Sequence, residues 1–248
     1  MKKIFKAFWK KFEHFWEYYK WHAIIPFAIV TIIVSMVSTY IMESRPIALG
    51  IVMMNTSDVA SAVKEFEVNY AMERGLELPV EVNIDFVHPK DMKQAALETD
   101  DTIASIQKYQ SMMRNGYVDL TFTTEWVVKE YMQIPLYEDL RTYFDESFLE
   151  EYEEYIYYVI KEEVEAEANR KAYEEDTGTL AETSEEVNWE ENGTKIPVAF
   201  YVEDCEALGE FYLESKPVMA FTKNGERTEE SITFAKWILE GMKKEGAD

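Results

Sequence analysis

From Ala23 to Met42 the chain reads AIIPFAIVTIIVSMVSTYIM, twenty residues without a charge. As a helix, at ~1.5 Å of rise per residue, this run spans the ~30 Å hydrocarbon core of a bilayer. A helix that is apolar all round must be covered, by lipid or by protein. Pro26 falls in its first turn, where a missing N–H costs little. A cleaved signal peptide has an apolar core of about 7–15 residues and small residues before the cut. Here 22 residues precede the run, and Tyr40, Ile41 and Met42 stand where small residues would be expected. A buried helix of a soluble protein is the other alternative. The pattern predicts an uncleaved transmembrane helix over 23–42.

The flanks set its direction. Lys2, Lys3, Lys6, Lys10, Lys11 and Lys20 precede the run, against Glu13 and Glu17. Lys and Arg near a span stay cytoplasmic, so the N-terminus is expected inside and the C-terminal domain outside. Within residues 1–22, Ile4, Phe5, Phe8, Trp9, Phe12, Phe15, Trp16 and Tyr19 recur three and four apart, with lysines on much of the opposite face. This is the pattern of a basic amphipathic helix lying on membrane lipids. The same pattern suits an extension of the spanning helix, or a docking face for a partner helix.

Charge is split unevenly. The first 45 residues hold seven Lys and Arg against three Asp and Glu; the remainder hold 18 against 45. The second part, at −27, repels nucleic acid and favours a cation, a basic peptide or a cationic partner. The single Cys205 forms no internal disulfide. An exported domain without disulfides fits a bacterial envelope better than a secreted animal protein.

Residues 46–248 are long enough for one sizeable domain. Ile47 to Met54 (IALGIVMM) reads as a buried strand, followed by a helix capped by Ser57 or Asp58. Val80 to Val87 alternates as a second strand and ends at His88-Pro89-Lys90. A helix-rich stretch from Asp91 to Asn115 leads to a third strand, Val118 to Thr123, and Thr124-Glu125 opens another helix. Strand and helix alternating in this way predict an α/β domain with a mainly parallel sheet. Residues 145–192 read as an acidic helical insertion. Phe148, Leu149, Tyr152, Tyr155, Ile156, Val159 and Ile160 make an apolar stripe, and a glutamate-rich segment follows as a solvated helix or mobile arm. Ile196 to Val202 and Pro217 to Thr222 read as strands, and Thr228 to Lys243 as a closing helix.

The segments Gly116-Tyr117-Val118-Asp119-Leu120 and Leu136-Tyr137-Glu138-Asp139-Leu140, with Pro217 to Lys223, Arg227-Thr228-Glu229-Glu230 and the helix to Leu239, resemble one lobe of an extracellular solute-binding protein. The resemblance covers roughly residues 47–145 and 196–240. It implies an α/β lobe and, in the complete family architecture, a second lobe closing on a ligand. Here only the acidic segment occupies the place of that second lobe. A single lobe cannot close over a solute, which removes most of the burial behind affinity.

Chemistry-bearing motifs are scarce. Of three histidines, His14 and His22 lie in or beside the anchor, which leaves His88. No zinc set, nucleophile elbow or phosphate loop is present in the sequence. Neither an enzyme nor a cofactor is therefore expected. Asp100-Asp101 and Glu203-Asp204 are open to calcium or to plain solvation. Ligands of open parallel sheets sit beyond the carboxyl ends of the strands. Those ends predict Asn55, Thr56, His88, Thr123, Thr124 and Glu125 as one crevice. The competing reading makes Asn55 and Thr124 helix caps and His88 a turn residue. Two functions follow: an anchored extracytoplasmic protein that binds a protein partner, or a tethered receptor for a small solute or cation.

Overall fold

Leu49–Met54 is buried along its whole length and forms β1, the strand around which the fold is organised. The structure is a computed structural model of the 248-residue chain. It describes residues 24–35, 46–56, 60–88, 100–177, 193–203, 205, 208, 211–212 and 216–245. The chain divides into two units, Met1–Pro46 and Ile47–Asp248.

In the first unit, residues 24–35 form helix α1. Its side chains are exposed on every side, from Ile24 at 39% to Phe27 at 74%. The Thr31 hydroxyl donates to the Phe27 carbonyl at 2.9 Å, so the one polar side chain in the middle of the helix is satisfied within it. Among the described residues no helix is long and apolar enough to cross a membrane. Both ends of the span expected over 23–42, and the basic segment 1–22, lie outside the described residues.

In the second unit the elements run β1, α2 (Ala60–Arg74), β2 (Val80–Phe86), α3 (Asp100–Arg114), β3 (Leu120–Thr123) and α4 (Glu125–Met132). Then come α5 (Glu146–Glu151), β4 (Ile156–Ile160), α6 (Lys161–Thr177), β5 (Lys195–Tyr201), β6 (Val218–Phe221) and α7 (Thr228–Glu245). The strands form one six-stranded sheet in the order β2-β1-β3-β6-β5-β4. The pairings of β1 with β2 and β3 are parallel, as the alternation of elements predicts. Those of β3 with β6, β6 with β5 and β5 with β4 are antiparallel. The sheet is therefore mixed rather than mainly parallel. The reason is connectivity: β6 enters beside β3 from late in the chain, without the helical crossover that imposes parallel direction.

Side chains alternate between the two faces of β1. Leu49, Ile51 and Met53 join one core with Phe66 and Tyr70 of α2 and Phe234, Ile238 and Leu239 of α7. Val52 and Met54 join another with Tyr109 of α3, Val127 and Tyr131 of α4 and Val164 of α6. Burial on both faces explains why this strand is uninterruptedly apolar. The register of β1 on β2 shifts between Val52 and Met54. As a result Phe86 packs with Met54, on the face opposite to Val80 and Val82.

The acidic segment departs from expectation. The helical stripe predicted through Ile160 ends early: α5 stops at Glu151, and Ile156–Ile160 is strand β4 at the sheet edge. Its IYYVI sequence is β-branched and aromatic, and pairing with β5 buries Ile156 and Val159. Helix α6 is not merely solvated either. Val164 is buried in the core, Lys129 of α4 donates to Glu163 at 2.6 Å, and Glu162 accepts from the Thr194 amide at 2.7 Å. Residues 178–192 lie outside the described residues. Because exposed ion pairs contribute little, Val164 is the anchor of α6. Val164→Ala should cost about 1.5 kcal/mol, two methyl groups' worth of burial. Glu165→Ala, on the exposed side, should stay within about 0.5 kcal/mol. Urea unfolding of the two variants distinguishes a docked α6 from a free one.

At the opposite end of the sheet from the predicted site, Asp119 holds three parts of the chain together. Its carboxylate is 1% exposed and accepts from the Gly50 amide at 2.8 Å and the Arg227 amide at 3.0 Å. The Arg227 guanidinium lies 3.2 Å from the same carboxylate and also donates to the Gly116 and Ile47 carbonyls, at 3.1 and 3.2 Å. A methyl group on Gly50 would stand 2.3 Å from the Tyr117 carbonyl oxygen, so only glycine fits this crossing.

Candidate functional site

Beyond the carboxyl ends of β1 and β2, the backbone makes one tight turn that fixes a histidine. Asn55 follows β1 with φ of 57°, a left-handed conformation that asparagine tolerates better than most residues. Its amide donates to the Phe86 carbonyl at 3.0 Å, and its side-chain oxygen accepts from the His88 amide at 2.9 Å. Asn55 thus clamps the exit of β1 to the exit of β2. Its side-chain oxygen is thereby engaged by backbone.

His88 is 3% exposed. Its ring meets Trp126 and Tyr131 edge-on, with centroids 5.1 and 5.2 Å away, and Nε2 lies 3.7 Å from a Glu130 carboxylate oxygen. Glu130 in turn lies 3.4 Å from Lys171 of α6. His88, Glu130, Tyr131 and Lys171 line a cavity of about 340 Å³ with Ile106, Gln110, Gln133, Ile134, Ala168 and Ala172. Tyr131 is 1% exposed, and among the described residues its hydroxyl has no hydrogen-bond partner. Burial pushes this phenol well above the ordinary tyrosine range; the nearby Gln110 amide opposes the rise without completing a hydrogen bond, and the Glu130 charge adds to it.

The remaining predicted residues lie elsewhere. Thr56 is half-buried just after the clamp. Thr123 is wholly buried, its hydroxyl 3.6 Å from the Met54 sulfur. Thr124 has the backbone of an N-cap, and its carbonyl accepts from the Val127 and Val128 amides. Its hydroxyl makes no capping bond and has no partner. Glu125 opens α4 and lines a separate pocket of about 390 Å³ with Tyr155, Tyr201, Glu203 and Lys216. There burial and the Glu125 carboxylate push the Tyr201 phenol up to about 12. Of the six, only His88 lines the cavity beneath α4 and only Glu125 the other pocket; Thr123 is inside the sheet, and Asn55, Thr56 and Thr124 lie in the turns that leave β1 and β3.

The other members of that cavity come from α3, α4, the turn after it and α6. Glu130 and Lys171 stand 41 positions apart, and nothing in the spacing of either announces the contact. Beneath the cavity, the Tyr109 hydroxyl bonds the Thr121 hydroxyl at 2.8 Å and the Tyr137 hydroxyl at 2.7 Å. Burial pushes both phenols above the usual range; Thr121 opposes the rise of Tyr109, and the bond with Tyr109 opposes that of Tyr137. A phenol raised in the folded state stabilises the fold fully below the unfolded pKa of ~10, and the contribution is lost as pH rises through the folded value. Stability should therefore decline above pH ~10, with tyrosinate absorbance from this cluster appearing together with loss of near-ultraviolet circular dichroism. Complete tyrosine ionisation near pH 10 with the fold intact would contradict the burial.

No family model matches the chain, and no match is found among curated proteins. Among the described residues no group of three or more His, Cys, Asp or Glu is placed to hold a metal ion.

Proposed function

We propose that this chain is a single-pass, membrane-anchored protein of the bacterial envelope. Its acidic α/β domain faces outward and binds a protein partner. The observation that carries the reading is α1: twelve helical residues, apolar nearly throughout and exposed on every side. Leaving such a surface in water costs about 25 cal/mol per Å², a penalty that lipid removes. The charge-free run continues to Met42 and the lysines cluster before it, which supports insertion with the N-terminus in the cytosol.

The domain reads as a one-lobed relative of extracellular solute-binding proteins. Three features favour partner binding over solute capture. The described acidic segment returns as β4 and α6 onto the same sheet, rather than building a second lobe. Among the described residues β4 is the edge of the sheet and one row of its backbone groups has no strand beside it, as in strand-addition interfaces. The −27 charge favours a basic partner.

Alkaline carbonate extraction of membranes, followed by cross-linking in mild detergent, tests both halves. The chain should stay with the membrane pellet and recover one partner in stoichiometric amount. Release into the supernatant would remove the anchor. Recovery of a lone monomer would remove the partner.

A further inference from the structure

The cavity beneath α4 has a donor set with a definite preference. Gln133 directs its amide nitrogen to Glu167, which leaves its carbonyl oxygen as an acceptor; that oxygen is buried and has no partner. The neighbouring Tyr131 hydroxyl is buried and unpartnered as well. Tyr131 and Gln133, the two residues that carry these orphans, both line the cavity. A buried polar atom without a partner is costly in a folded protein, so a ligand that satisfies both is favoured.

The lining groups then select the sign. Among the described residues Glu130 is the one carboxylate lining the cavity, which the Gln133 side chain also lines. The Lys171 ammonium also lines the cavity and offsets the Glu130 charge, so the unsatisfied Gln133 carbonyl decides: an anion has no use for it, whereas a cation with N–H donors meets it together with the carboxylate and a phenol oxygen. Lys171 already illustrates the arrangement, since its own ammonium lies 3.4 Å from Glu130. The rest of the wall is apolar: Ile106, Ile134, and Ala168 with Ala172 one turn apart on α6. These two alanines present only methyl groups, which leaves the space between the helices open. A volume of about 340 Å³ falls in the range of small-ligand pockets.

We propose that this cavity binds a small primary amine with a short hydrocarbon body. Its ammonium is held by Glu130, Gln133 and Tyr131, and its chain lies against Ile106, Ile134, Ala168 and Ala172. The inference does not rest on membrane placement or on a protein partner, and it stands or falls separately from both.

The test uses the full-length chain in a non-ionic detergent, with n-butylammonium as the probe and butanol and butyrate as controls of the same length. Saturation-transfer NMR and the unfolding midpoint both report binding. Butylammonium should bind at least tenfold more tightly than either control and should raise the midpoint. Glu130→Gln should weaken it about tenfold, and Tyr131→Phe several-fold. Lys171→Met, which removes the internal competitor, should tighten it. Ala172→Leu should fill the cavity and abolish binding while the unfolding midpoint is kept. Equal binding of all three probes, or an unchanged affinity in Glu130→Gln, would overturn the assignment. Should Glu130→Gln fail to fold, weaker binding in Lys171→Met or retained binding in Ala172→Leu would overturn it equally.

Discussion

Arg227→Met is expected to destabilise the α/β unit by at least about 3 kcal/mol, because it leaves the Asp119 carboxylate buried without its counter-charge. Two backbone amides, from Gly50 and Arg227 itself, would still donate to that carboxylate. They place the cost at the lower end of the range for a broken buried pair, about 3–5 kcal/mol. Loss of the guanidinium also frees the Ile47 and Gly116 carbonyls, which anchor the entry to β1 and the turn before β3. In a domain of this size the unfolding midpoint should fall by roughly 10 °C. Asp119→Leu should be comparably damaging, for the opposite reason: buried donors lose their acceptor. The double variant should lose clearly less than the sum of the two, since each substitution removes the partner that makes the other costly. Strict additivity would mean that the pair is not coupled.

Phe234→Ala is expected to cost about 3–5 kcal/mol by opening a cavity under the sheet. Phe234 is fully buried, and its ring meets Tyr70 at 4.7 Å, Trp237 at 5.8 Å, Phe66 at 5.9 Å and Phe122 at 6.1 Å between centroids. Those four residues come from α2, β3 and α7 itself, so the ring is the point at which the closing helix is fastened to the sheet. Collapse around the gap would require three elements to move together, which places the cost in the upper part of the core-substitution range. Phe234→Leu keeps most of the volume and should cost less than half as much. Urea unfolding of the full-length chain in detergent measures both. A loss below about 1 kcal/mol for the alanine variant would mean that α7 is not seated as described.

Much of this architecture was legible from local pattern. The β1 strand is a continuous apolar run because it is covered on both faces, and α7 carries Phe234, Ala235, Ile238 and Leu239 at helical spacing. Where the pattern misled, two periods overlapped. Tyr152, Tyr155, Ile156 and Val159 suit a helical face, yet Ile156–Ile160 is a strand because β5 offers a pairing edge. Parallel direction was overextended for a similar reason: the entry of β6 beside β3 is a fact of long-range topology and has no local signature. Asp119 stood in a recognisable segment, but its partner Arg227 lies 108 residues away. His88 was within reach as the single histidine after His22. Its companions Glu130 and Lys171 were indistinguishable from the many solvated charges around them. Asn55 clamps β1 to β2 through bonds to Phe86 and His88, more than 30 residues away, which no local pattern announces.

The most direct measurement is protease accessibility in intact spheroplasts, followed by mass spectrometry of the membrane fraction. Anchoring with the acidic domain outward predicts that added protease removes peptides from residues 47–248 while the lysine- and aromatic-rich first 22 residues survive until the cells are lysed. Protection of the acidic domain until lysis would contradict that placement, and with it the role proposed for the chain.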